Sequence, residues 1–200
     1  MKTLFKQIPV LIAAGLITLS CSKDSPTTTS TPTAPNIQEE NFLDGFLATS
    51  GFNQKTTPFV NDGTFEYGWE FEPLVKGKIT SVKVKLPDVV NELRITIWDK
   101  MTGTALKTDI VNVTTVNTVF IFDIADLDVI KNKQYAITMN ANDFYQRTRN
   151  DNSAVIYPIT VGNIKILSNK YVAGSSQTYP TNELFTYCNG DLSFNFVKTE

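Results

Sequence analysis

The sequence contains no histidine. That removes the commonest general base near neutral pH, the commonest metal ligand, and every Ser–His or Cys–His nucleophile arrangement. Paired carboxylates remain possible, so an enzyme is disfavoured rather than excluded. Cysteine is scarce: Cys21 and Cys188 are the only two, enough for one bridge. If Cys21 is modified, Cys188 is a lone thiol. Cations are not in excess either, with 18 Lys and Arg against 20 Asp and Glu and a net charge of −2. That balance argues against nucleic acid, which is bound largely through clustered Lys and Arg. No cofactor is implied. The longest apolar run, Ile8 to Leu19, falls short of the roughly 20 residues that cross a bilayer. There is no repeat of 20 to 50 residues.

What is present describes a globular domain with a leader. Apolar residues make up 42% and charged residues 19% of the chain, which excludes a disordered polymer. A folded part of about 160 residues buries about 70% of the surface its unfolded chain exposes, so neither disulfides nor a metal are needed. The start, Met1-Lys2-Thr3-Leu4-Phe5-Lys6, is basic and precedes the apolar run, which is the form of a secretory signal peptide. The run ends in Thr18-Leu19-Ser20-Cys21. This resembles a lipobox, in which the cysteine receives a diacylglycerol. Cys21-Ser22-Lys23-Asp24 is similar to the start of Bacteroidetes-type lipoproteins, which implies an outer-membrane anchor and surface display. Cleavage before Cys21 would remove Lys2 and Lys6, leaving 16 basic against 20 acidic residues and a net charge of −4. The expected organisation is a signal peptide over 1–20, a lipidated Cys21 with a Ser/Thr/Pro-rich tether over 21–35, and one domain over 36–200. The tether cannot bury apolar area to offset ordering entropy. At about 3 Å per residue it would hold the domain roughly 40 Å from the membrane.

Within the domain, Phe42, Leu43, Phe46 and Leu47 have helical spacing, and Gly51 is placed to end a short helix. Beyond that the period is two. Phe65, Tyr67, Trp69 and Phe71 alternate with Glu66, Gly68, Glu70 and Glu72. Similar sets start at Val82, Leu93, Phe120, Tyr135, Val155 and Leu192. Each predicts a strand with one buried and one wet face. Turn signals separate them, among them Asn61-Asp62-Gly63, Thr102-Gly103 and Asn189-Gly190-Asp191. Many short strands without a βαβ rhythm predict an all-β, antiparallel sandwich.

Several segments in order resemble one known module. They are Gly68-Trp69-Glu70-Phe71-Glu72-Pro73 followed by Gly77-Lys78-Ile79-Thr80-Ser81-Val82, then Ile97-Trp98-Asp99 with Thr102-Gly103-Thr104-Ala105-Leu106. Lys133-Gln134-Tyr135, Gln177-Thr178-Tyr179-Pro180 and Leu192-Ser193-Phe194-Asn195-Phe196 follow. Together, over about residues 64 to 198, they resemble domain of unknown function 4082, a module of bacterial glycoside hydrolases and surface proteins. The resemblance implies a jelly-roll-like β-sandwich and a non-catalytic, carbohydrate-related role. It carries over no binding residues.

Candidate ligand contacts come from side-chain chemistry. Trp98 falls on the face of Arg94 and Thr96, opposite Leu93, Ile95 and Ile97, and an outward Trp could stack on a sugar ring. The competing reading has both faces of this strand covered. Asn140 to Ser153 is the most polar stretch of the domain. In an extended segment, Tyr145, Arg147 and Arg149 would share one side and offer donors to hydroxyl-rich or anionic ligands. A solvated loop explains the same composition. Asp143, Asp151 and Asn152 could offer oxygens to calcium, but their spacing matches no loop motif. Glu66, Glu70 and Glu72 read as a solvated acidic face, although two carboxylates in a cleft would suit glycoside hydrolysis. The expectation is a non-catalytic surface lipoprotein that binds a glycan. The alternative is a structural or adhesion subunit of an envelope assembly with a protein partner, and a hydrolase stands third.

Overall fold

The computed structural model describes residues 39–200. The signal peptide, Cys21 and the tether lie outside the described residues. In chain order the elements are β1 (Glu39–Glu40), α1 (Leu43–Ser50), β2 (Lys55–Phe59), β3 (Phe65–Pro73), β4 (Gly77–Lys85) and β5 (Val90–Asp99). Then come β6 (Thr104–Val113), β7 (Phe120–Val129), β8 (Tyr135–Ala141), β9 (Phe144–Thr148) and β10 (Ile159–Val161). β11 (Ile164–Ala173), β12 (Asn182–Leu184), β13 (Tyr187–Asn189) and β14 (Asp191–Lys198) complete the domain.

The larger sheet has the order β10-β11-β3-β8-β5-β6, with β12 also on β11, and the smaller has the order β1-β14-β4-β7. A three-stranded ribbon, β13-β9-β2, is the third sheet. Every pairing in the two main sheets is antiparallel. Period two does this locally: Tyr67, Trp69 and Phe71 of β3 go inward, as do Leu192, Phe194 and Phe196 of β14, and all six are buried. The two sheets meet face to face. Trp69 Nε1 donates across the core to the Leu192 carbonyl at 2.9 Å, and the Phe71 and Phe194 rings lie 4.7 Å apart. The fold is the all-β sandwich that the alternation predicts.

The short helix forms as expected and fills the core. Phe46 lies 4.7 Å and Phe42 6.0 Å from the Trp69 ring. Fully burying one such side chain is worth about 1.5–3 kcal/mol, which offsets the weakness of an isolated two-turn helix. Gly51 ends it at φ +75, a left-handed conformation that suits a residue without Cβ. The ribbon packs through Phe144, whose ring stacks on Phe59 at 5.1 Å and meets Tyr67 edge-on at 5.4 Å.

Two expectations change. The strand expected from Val155 begins only at Ile159, because Pro158 has no N–H for a ladder. The polar stretch 140–153 is not one loop, since it contains the end of β8 and all of β9.

Candidate functional site

The outer face of the larger sheet is covered along β3. Glu66, Glu70 and Glu72 are 0%, 2% and 9% exposed, so the solvated acidic face expected of β3 does not exist. The segment 174–181, which follows β11, crosses over them. Arg94 donates to the Ser175 carbonyl at 3.0 Å, Gln177 Nε2 to Thr108 Oγ1 at 2.7 Å, and the Tyr179 hydroxyl to Glu70 at 2.6 Å. Beneath it every carboxylate has its own cation. Glu66 pairs with Arg94 at 2.8 Å, Glu70 with Lys100 at 2.8 Å, and Glu72 with Lys165. Burial pushes Glu70 upward, but the bonds from Lys100 and Tyr179 outweigh it and hold the carboxyl below its ordinary range. The Lys165 and Gln134 bonds do the same for Glu72. Burial, with Glu70 accepting its hydrogen bond, raises the Tyr179 phenol and keeps it a neutral donor. These acids are committed to the fold.

Trp98 belongs to this covered face. It points outward from β5 as predicted, yet it is only 3% exposed. Its Nε1 donates to Thr138 Oγ1 at 2.8 Å, and the Tyr179 ring meets it edge-on at 5.8 Å. Thr138 in turn donates to Glu66. Trp98 therefore offers no stacking platform and shares no partner with Tyr145, Arg147 or Arg149, so the four do not form one site.

The outer face of the smaller sheet is arranged differently. Val82 and Val84 point into the core, so Lys83 and Lys85 of β4 point out. The register opposes Ser193 to Lys83 and Asp191 to Lys85 on β14. Gly190, at φ +87, makes the turn that delivers Asp191. A Cβ there would meet the Tyr67 ring at 2.4 Å, so the position admits only glycine without displacement. β9 brings Arg147 to the same place. Its Nε donates to Asp191 Oδ1 at 2.9 Å, Nη2 bonds the second carboxylate oxygen, and Nη1 donates to Thr56 Oγ1 at 2.8 Å. Such a two-pronged pair fixes the guanidinium plane.

These residues line a groove of about 270 Å³, walled on the far side by Asn41, Asp44 and Leu47 at the start of the helix and by Val119. Tyr145 lies beneath it as a strut, with Lys85 Nζ 5.4 Å and Arg147 Cζ 5.9 Å from its ring. Its hydroxyl bonds Asn117. Burial, then the Asp191 charge, raises this phenol, while Arg147 opposes them. Among the described residues, neither Lys83 nor Lys85 makes an ion pair.

Of the predicted contacts, Tyr145 and Arg147 thus come together, and Arg149 does not join them. Arg149 Nε donates to the Ser50 carbonyl at 2.6 Å and Nη1 to the Ala154 carbonyl at 2.9 Å. It satisfies the last turn of α1, where a cation also complements the helix dipole. Among the described residues no three acidic or cysteine side chains are grouped as metal ligands. Sequence reasoning missed Lys83, Lys85, Asp191 and Asn41. The alternation of β4 placed the lysines outward, but only the β4–β14 register shows what they face.

A third feature is the side of the sandwich where β6 ends one sheet and β7 the other. Leu106 and Ile110 of β6, Val119 beside β7 and Ile121 within it are exposed there. No family model matches the chain, and no curated protein matches it.

Proposed function

We propose that the chain is a non-catalytic surface lipoprotein, anchored in the outer membrane through Cys21, whose β-sandwich binds a glycan in the groove beside Arg147. The observation that carries the reading is a groove of mixed polar and apolar lining that holds a guanidinium fixed by Asp191 and two lysines without an ion pair among the described residues. Arg147 uses three of its five N–H groups within the protein, so two remain for a ligand hydroxyl or carboxylate. Concave sites with a few convergent polar groups are the usual form of small-ligand binding. The sequence resemblance to domain of unknown function 4082 and its jelly-roll-like fold supports the same class. The pairing of each covered carboxylate with a cation favours a binding module over a hydrolase.

The test has two arms. Labelled palmitate should enter the wild-type chain in cells, and Cys21→Ser should abolish the label. A glycan array probed with the purified full chain bearing Cys21→Ser should give hits that Arg147→Ala weakens about tenfold. Hits indifferent to Arg147→Ala would move the site elsewhere.

A second reading, an assembly subunit with a protein partner, is favoured by the exposed Leu106, Ile110 and Ile121 at the β6 and β7 edges. Unpaired edges are templates for strand addition. Leu106→Lys with Ile110→Lys on β6 would break that contact and leave glycan hits intact.

A further inference from the structure

We infer that the groove selects a carboxylated saccharide, with Lys83 and Lys85 as the residues that read the acid. The inference rests on the glycan reading above and narrows it to one class of ligand.

Charge accounting within the groove comes first. Its lining holds three cations, Lys83, Lys85 and Arg147, and two anions, Asp44 and Asp191. Arg147 and Asp191 satisfy each other through two parallel bonds. Asp44 sits in the first turn of α1, where a carboxylate complements the positive end of the helix. The lining therefore nets one positive charge, and the cations without an ion-pair partner among the described residues are the two lysines. The protein as a whole carries a net charge of −2, so this positive lining is a local feature and not a general attraction for anions.

Geometry comes second. Lys83 and Lys85 are two apart on one strand, so their Cα atoms lie about 7 Å apart on one face. Two flexible stems from such neighbours can converge on one carboxylate or take two successive ones along a chain. Tyr145 supports Lys85 and Arg147 from below through its ring face, which limits where the Lys85 ammonium can go. Leu43, Leu47 and Val119 add apolar surface to the walls, suited to the C–H face of a sugar ring. Ligand pockets run from about 300 to 1,000 Å³. A groove of about 270 Å³ lies just below that range and therefore suits a single acidic sugar unit.

The experiment compares two ligands that differ only in the acid. The purified full chain bearing Cys21→Ser is titrated with oligogalacturonate and with the same oligosaccharide after its carboxyls are reduced to neutral alcohols. Expected are binding of the acidic form at least tenfold tighter, weakening as salt screens the charge, and a further tenfold loss in Lys83→Gln and in Lys85→Gln. Asp44→Asn should tighten binding a few-fold, a gain that unfolding cannot mimic. Lys131→Gln, outside the groove, should change nothing. Equal binding of both forms, unaffected by the lysine variants, would overturn the inference and leave the glycan reading standing. An equal loss in Lys131→Gln would reduce the effect to general charge attraction and overturn it too. Failure to bind either form, together with an array of neutral, carboxylated and sulfated glycans that gives no hit, would overturn both.

Discussion

On the outer face of the larger sheet, Glu66, Glu70 and Glu72 each meet a cation at the end of a committed side chain, and the segment 174–181 lies over them. On the outer face of the smaller sheet, Lys83 and Lys85 meet no carboxylate among the described residues, and a groove lies open beside them. Both faces arise from the same strand alternation, in which apolar residues point in and charged residues point out. Burial separates them. A charge taken out of water must be paired and hydrogen-bonded or the fold loses several kcal/mol. A half-exposed ammonium keeps its water and needs no partner. Covered charges are therefore used by the fold, and uncovered, unpaired ones are available to a ligand.

The strongest way to break this comparison is to remove a covered carboxylate. Glu66→Ala leaves the Arg94 guanidinium and the Thr138 hydroxyl without their shared partner. Breaking a buried pair from one side costs about 3–5 kcal/mol, and the partial exposure of Arg94 puts the expected loss near the lower end. Urea unfolding measures it. A loss below about 1 kcal/mol would mean that the covered network is dispensable, and the contrast between the faces would collapse.

A smaller effect is expected from the covering segment itself. Tyr179→Phe removes one hydrogen bond to Glu70, while Lys100 and Ser168 still hold that carboxylate. The global loss should be about 1 kcal/mol. Amide exchange over residues 174–181 should rise more than exchange in β3 or β8. Uniform acceleration would show instead that the segment opens only when the whole domain unfolds.

That segment also marks the limit of what the sequence discloses. The inward stripe Tyr67, Trp69, Phe71 and the helix ending at Gly51 were legible because each depends on neighbours a few residues away. The wet outer face of β3 was misread because its cover comes from Tyr179, more than 100 positions along the chain. The same distance explains Trp98: period two gave its face correctly but says nothing of what lies on it. Composition leaves Tyr145 and Arg147 open between an extended segment and a loop; the extended segment forms, because Phe144 anchors it to Phe59. Arg149 looked identical to Arg147 and differs only in meeting the end of a helix rather than an aspartate.

Acid should separate the faces further, by less than the loss of Glu66. Glu70 and Glu72 are held below the ordinary carboxylate range in the folded state. Their contribution is thus fully present above the unfolded glutamate value of about 4.3 and is lost as pH falls through their lowered values. Urea midpoints taken from pH 6 down to pH 3 should decline, and Glu70→Gln should flatten part of that decline. A Glu70→Gln chain with the wild-type slope would place the acid sensitivity outside the covered face.

The smallest effect expected is the one that most sharpens the comparison. Lys83→Gln and Lys85→Gln remove charges that no described carboxylate uses, and both side chains are only half-buried. Glutamine keeps most of the stem that packs along β4. Surface substitutions away from such special features stay within about 0.5 kcal/mol, a shift in thermal midpoint of roughly 1–2 °C for a domain of this size. Lys85 carries one added contact, its approach to the Tyr145 ring, worth about 0.5–1 kcal/mol at most where exposed. Its variant should therefore be the less stable of the two, and by little. Thermal melts of the two single variants and their double read this directly. A loss of more than about 2 kcal/mol in either would mean that the lysines support the fold as Arg94 and Lys100 do on the other face. The open groove would then be a second structural network, and its unpaired cations would no longer point to a ligand.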